Sequence, residues 1–168
     1  LFAEYWLEVP YANRAGYGAL NREGSVLALG GFYPTLAVYE TEGWQADLVT
    51  GVGDPLHAEA AFFAVTVTVP SDVVVLTSGR AVETMESADG RVTQHFIGGP
   101  IRDFALVMGQ DYTVAADTVD GVQIRFFSHT AGGQALARQI LQYTGDALRT
   151  YEQLFGPYPY TELDMIQS

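Results

Sequence analysis

Apolar and polar positions run in short, loosely alternating blocks along most of this chain and then change period. Phe2 to Val9 alternates loosely. Tyr17 to Leu20 and Ser25 to Leu29 flank Asn21-Arg22-Glu23-Gly24, which predicts two strands joined by a hairpin turn, since glycine tolerates positive φ. Phe62 to Val69 is rich in β-branched residues and predicts a strand that Pro70 stops. Val73 to Ser78 follows directly. Ala81 to Glu86 and Arg91 to Ile97 flank a second hairpin signal, Ser87-Ala88-Asp89-Gly90. Phe104 to Met108, Tyr112 to Thr118 and Val122 to Phe127 complete the series, the last two joined through Asp120-Gly121. Many short strands with regular turns predict an antiparallel sandwich or open barrel.

The period changes after His129. Leu136, Ile140, Tyr143, Ala147, Tyr151 and Leu154 follow steps of three or four, one apolar stripe of a helix. The helix is expected over Gly133 to Phe155, ended by Gly156-Pro157. A turn at Tyr158-Pro159-Tyr160 and a short apolar run from Leu163 to Ile166 follow. The switch predicts a mainly β domain over 1–129 and the cut-short start of a second domain over 130–168. The helix stripe then packs on the β domain or stays partly exposed. Glu40 to Ala60 reads as a long ordered loop, anchored by Trp44; loops of this length are uncommon unless functional or held down.

Composition narrows the chemistry. The chain has 168 residues, 48% of them hydrophobic, enough for one well-buried core or for one domain plus a fragment of another. Twenty carboxylates against eight basic residues, all arginine, give a formal charge of -12. Such a surface repels phosphate, so nucleic acid is not an expected partner. There is no cysteine, hence no disulfide, thiolate metal site or cysteine nucleophile. No apolar run approaches the ~18 residues a membrane span needs. The opening Leu1-Phe2 has the look of mid-strand, with no initiator methionine or signal peptide, and reads as an excised fragment or proteolytic product.

The candidate sites are sparse. His57, His95 and His129 are isolated, and none has metal-ligand spacing with another. His57-Ala58-Glu59 has the His-x-Glu form of zinc deaminases, but that site also needs two cysteines. Ser78 and Ser128 have no evident base and carboxylate. Gly51-Val52-Gly53 lacks the rest of a phosphate loop. The carboxylates read as a solvated surface, with a Ca²⁺-binding cluster as the rarer alternative. No catalytic and no metal residue is therefore assigned.

Several motifs, in order, resemble the aminopeptidase N family of zinc peptidases, which includes leukotriene hydrolase. Gly51-Val52-Gly53-Asp54-Pro55, with Phe62 and Val65 to Pro70, resembles the family's Asp-Glu-Pro…Lys-Ala-x-Phe stretch ahead of a Thr-Val-x-Val-Pro strand; the Glu and the Lys-Ala are missing. Thr77-Ser78-Gly79 stands where the family has Ser-Asn-Gly. Asp103 to Gly109 with Tyr112 resembles its Tyr-Leu-x-Ala-x-x-Val-Gly-x-Phe strand, and Gly121 to Phe127 its Gly-Val-x-Val-Arg-x-Tyr strand. Tyr151 to Asp164 resembles Tyr-x-x-x-Phe-Gly-x-x-Tyr-Pro-x-x-Lys-Leu-Asp. Each motif alone is weak; five in order across residues 17 to 168 are fairly specific. Gly43-Trp44 with the Gly-Asp-Pro run looks like a divergent bacterial branch.

The resemblance implies a saddle-like antiparallel β-sandwich followed by one long helix, the helix opening a thermolysin-like catalytic domain. It implies a parent that hydrolyses peptides from the N-terminus, with zinc polarising the carbonyl and activating water. The family's His-Glu-x-x-His is absent from these residues, so no cofactor is expected in this stretch and zinc only in the full-length parent. The expected partners are a peptide substrate and the remainder of the catalytic domain. In the family a Gln-x-Glu or Gln-x-Gln on the β domain helps hold the substrate's free amine. Gly31-Phe32-Tyr33 stands there in this sequence, which makes Tyr33 the single substrate-binding candidate, through its hydroxyl. The rival expectations are that Tyr33 packs in the β core beside Pro34, and that the whole is a stand-alone β-sandwich that binds or scaffolds without catalysis.

Overall fold

A computed structural model describes residues 2–11, 20–45, 57–129 and 134–167. The described part of the chain divides into two compact units, Leu1–Gly109 and Gln110–Ser168. The division by compactness thus falls ahead of the change of hydrophobic period after His129.

The first unit holds β1 (Leu20–Glu23), β2 (Val26–Leu29), β3 (Val38–Glu40), β4 (Gly43–Gln45), β5 (Ala61–Pro70), β6 (Val74–Thr77), β7 (Arg80–Glu86), β8 (Arg91–Ile101) and β9 (Leu106–Gly109). One sheet has the order β1-β2-β9-β6 and another β5-β8-β7, while β3 and β4 form a hairpin of their own. All these pairings are antiparallel. Along β5 the inward positions Val67 and Val69 are buried and the alternating Thr66 and Thr68 are exposed, the period of two that a half-buried strand requires. One core joins the two larger sheets: Leu29 and Leu106 from the first meet Val67, Val69 and Phe96 from the second around Phe104, which is fully buried. The antiparallel β-sandwich is therefore present.

Two strand expectations change. Residues 2–10 form no strand and are mostly exposed; among the described residues a parallel bridge joins Tyr11 to Arg22, and Pro10 O accepts the Arg22 N–H at 3.1 Å. Alternation makes a strand only where a neighbouring strand pairs its backbone groups. The first hairpin is tighter than expected: Asn21, Arg22 and Glu23 lie within β1, and Gly24-Ser25 make the turn between Glu23 and Val26. Within the expected loop from Glu40 to Ala60, β4 returns beside β3, residues 46–56 fall outside the described residues, and Trp44 is 60% exposed against Tyr39 rather than buried.

The second unit holds β10 (Thr113–Val119), β11 (Val122–Ser128), α1 (Gln134–Phe155) and β12 (Glu162–Ile166). Asp120 and Gly121 both take positive φ, 50° and 89°, which suits a two-residue turn between Val119 and Val122. β11 pairs antiparallel with β10 and parallel with β12. Parallel neighbours need a long crossover, and α1 supplies it. The helix buries Ala137, Leu141, Gly145 and Leu148 against the sheet core of Val119, Val122, Ile124 and Phe126. Gly145 lies so close to Val119 that a Cβ there would stand 3.0 Å from its Cγ2. The sheet therefore takes the face on which Ala137 and Gly145 alternate with Leu141 and Leu148. The larger stripe expected from the sequence lies beside it, with Leu136, Tyr143, Tyr151 and Leu154 all more than half exposed. Among the described residues no helix is long and apolar enough to cross a membrane.

Candidate functional site

Tyr33 sits in the loop that leaves β2. Its hydroxyl donates to Asp103 Oδ1 at 3.1 Å and accepts the Phe104 backbone N–H at 3.0 Å. The ring meets Phe32 and Phe63 edge-on, with centroids 5.2 and 5.6 Å away. Burial, with some help from the Asp103 carboxylate, pushes the phenol above its ordinary range, while the Phe104 N–H pulls the other way. The hydroxyl is thus a proton donor already in use, with one lone pair left for an outside donor. A bound amine would be accepted there beside the Asp103 carboxylate, while a substrate oxygen seeking a donor would have to displace Asp103. This arrangement ties the loop to the head of β9 as well as presenting oxygen atoms.

The partner residue Asp103 lies seventy positions along the chain, and no pattern in the sequence links it to Tyr33. Ser78 belongs to the same region: its backbone N–H bonds Ala105 O at 3.1 Å and its Oγ accepts the Ala105 N–H at 3.0 Å. It anchors the entry to β9 and faces no base.

The other candidates are dispersed. His57 Nε2 meets Glu40 Oε1 at 3.0 Å on an exposed surface. His95 Nδ1 meets Thr66 Oγ1 at 2.7 Å across β8 and β5. The His129 ring stands edge-on to Tyr112, 6.0 Å between centroids. Ser128 is buried and pairs with Thr113 Oγ1 at 3.0 Å. Gly51 and Gly53 lie outside the described residues. Among the described residues no three His, Asp or Glu side chains come close enough to hold a metal ion. The donor set in hand does not fit zinc, and no reaction step can be built through zinc on these residues.

A cluster the sequence reading missed lies in the second unit. Arg125 on β11 is the register partner of Asp164 on β12. Its Nε and Nη2 reach Asp164 Oδ1 and Oδ2, each at 2.7 Å, and Nη2 also reaches Glu162 Oε2 at 2.8 Å. Asp164 foremost, then Glu162, holds the guanidinium more firmly protonated than usual. With both carboxylates engaged by the guanidinium, the cluster closes the parallel strand pair.

The fold has counterparts among solved structures. A mutant M1 zinc metallopeptidase from Deinococcus radiodurans superposes on 88% of this chain with a TM-score of 0.57 and 20% identity. A second structure of an M1 zinc metallopeptidase from that organism matches 65% of the chain with a TM-score of 0.51 and 24% identity. The chain spans only 33% and 26% of those two proteins. No protein-family model matches the chain, and no curated protein matches it significantly. The similarity lies in the fold: this chain shares the architecture of part of an M1 zinc metallopeptidase.

Proposed function

We propose that these residues are the N-terminal part of a zinc metallopeptidase related to aminopeptidase N, in a divergent bacterial branch. In this reading residues 1–129 form its β domain and 130–168 the opening helix and strand of a thermolysin-like catalytic domain. The complete polypeptide removes residues from the N-terminus of peptides. Its zinc is held by residues beyond those described, and the 168 residues alone are inactive. The observation that carries the reading is the superposition of 88% of the chain on a zinc metallopeptidase, beside the five sequence motifs that occur in order. Tyr33 in this reading faces the amine end of the substrate. Its free lone pair and the adjacent Asp103 carboxylate support that role, since an ammonium needs acceptors and a negative charge.

The test is to purify the whole polypeptide of the reading frame that contains these residues. Zinc is measured by elemental analysis and cleavage with aminoacyl fluorogenic substrates, free and N-acetylated. The expected result is one tightly held zinc and cleavage that needs a free amine. A frame giving neither zinc nor cleavage overturns the reading in favour of a stand-alone binding sandwich.

A further inference from the structure

Trp44, expected from the sequence to anchor a loop, stands open instead. Tyr39 and Trp44 are register partners in the β3–β4 hairpin, so both rings lie on one face. Val38, one position before Tyr39, is buried, and alternation along the strand turns the Tyr39 side outward. Tyr39 is 67% exposed and Trp44 60%. Their ring centroids are 5.0 Å apart with the planes at 72°, which makes a corner rather than a flat platform. Carboxylates flank the pair in the chain. Glu40 follows Tyr39 and meets His57 at 3.0 Å, and Glu42 stands exposed in the turn before Gly43. From Glu23 to Gly79 the sequence holds no arginine. Elsewhere the chain lays a guanidinium over an aromatic ring, Arg22 at 4.8 Å from the centre of Tyr11 and Arg125 at 5.6 Å from that of Phe127. Among the described residues, Tyr39 and Trp44 carry no such cover.

We propose that the corner of Tyr39 and Trp44 binds an arginine side chain presented by a partner peptide. A ring face attracts a cation, tryptophan most strongly. A guanidinium also stacks flat on the ring while its N–H groups stay free to donate to a carboxylate. The field of an acidic hairpin on a chain of charge -12 draws in a basic partner and repels a second copy or an anionic lipid surface. Rings set at 72° give no continuous flat face on which a sugar could lie. The site is independent of the metallopeptidase reading, and its test uses the 168-residue chain.

Acetylated and amidated Arg-Gly-Arg and Leu-Gly-Leu peptides, and neutral maltotriose, are each titrated with the chain and followed by proton NMR. Ring currents should move the arginine methylene signals upfield and saturably, and added salt should weaken the binding. Trp44→Leu keeps an apolar side chain and removes the ring face, which should weaken Arg-Gly-Arg binding about 2- to 5-fold, the worth of an exposed cation–π contact. Tyr39→Leu should weaken it as well, while Tyr39→Phe, which keeps the ring, leaves it unchanged; this pair carries the test should Trp44→Leu misfold. Arg-Gly-Arg binding that is absent, or that survives both leucine substitutions, overturns the proposal. Leu-Gly-Leu or maltotriose bound at least as tightly also overturns it, the first assigning the rings to apolar docking and the second to a glycan. Shifts of the Trp44 signals that grow with protein concentration alone overturn it in favour of a second copy.

Discussion

Arg125 and Asp164 face each other on neighbouring parallel strands, and two bonds of 2.7 Å join the guanidinium to both carboxylate oxygens. The pair is partly sheltered, at 27% and 15% side-chain exposure, and is bidentate, the geometry in which an arginine ion pair is strongest. It fastens the strand after α1 to the strand before it, so that helix and sheet close as one β-α-β unit.

Arg125→Ala is accordingly expected to destabilise the chain by about 2 kcal/mol, between the small value of an exposed pair and the larger cost of breaking a buried one. It removes the pair and leaves Glu162 and Asp164 repelling each other. Glu162→Gln, at the more exposed end, should cost under ~1 kcal/mol. Arg125→Lys should recover less than half the loss, because an ammonium cannot form the fork. Urea unfolding followed by circular dichroism ranks the three; an Arg125→Ala midpoint equal to wild type removes the clamp from the account.

The two faces of α1 make a contrasting pair. Leu148 is buried against the sheet, so Leu148→Ala should cost about 2–4 kcal/mol. Tyr143→Ala and Leu154→Ala, on the exposed stripe, should stay within ~0.5 kcal/mol in the 168-residue chain. Equal losses at Leu148 and Leu154 in thermal melts would contradict the orientation of the helix.

The orientation also shows where reading the sequence stops. Local chemistry identified the turns at Ser87–Gly90 and Asp120-Gly121, the strands they join, and the helix to within a residue or two, because each signal is carried by neighbouring residues. The apolar stripe from Leu136 to Leu154 stays largely exposed, one of its two expected outcomes. The buried face escaped because Ala137 and Gly145 interrupt the apolar pattern of Leu141 and Leu148, and only the close approach of the sheet at Gly145 shows that this face packs. Residues 2–10 misled for the converse reason, since alternation alone cannot supply a pairing strand. The bonds from Tyr33 to Asp103 and from Arg125 to Asp164 span seventy and thirty-nine residues, and only the packed fold brings them together.

Tyr33, Tyr112 and Tyr158 are all raised above the ordinary phenol value, in each case chiefly by burial. A raised phenol favours the neutral form in the folded state. Its contribution is fully present below about pH 10, the unfolded value, and is lost as pH rises through the higher folded value. Stability should therefore be level on this account up to about pH 10 and fall above it. Ultraviolet titration at the tyrosinate band should show a late-titrating group of tyrosines in the native chain that merges with the rest in urea. A native titration curve identical to the denatured one would contradict the burial of these three hydroxyls.

Tyr33 and Asp103 separate anchoring from recognition. Tyr33→Phe removes the donor to Asp103 and strands the Phe104 N–H, which is expected to cost about 1–2 kcal/mol of stability in the 168-residue chain. Asp103→Asn keeps an acceptor of the same shape for the Tyr33 hydroxyl and removes only the charge, so its stability should stay within about 1 kcal/mol of wild type. In the whole polypeptide both variants lose activity if this pair receives the substrate's amine. Asp103→Asn then loses roughly ten- to a hundredfold in kcat/KM, the effect of one charged hydrogen bond, concentrated in KM and absent with N-acetylated substrates. Tyr33→Phe, which removes the accepting lone pair, loses a like factor, roughly ten- to a hundredfold in kcat/KM. Unchanged kinetics in Asp103→Asn, alongside a destabilised Tyr33→Phe, would confine the pair to holding the loop against β9.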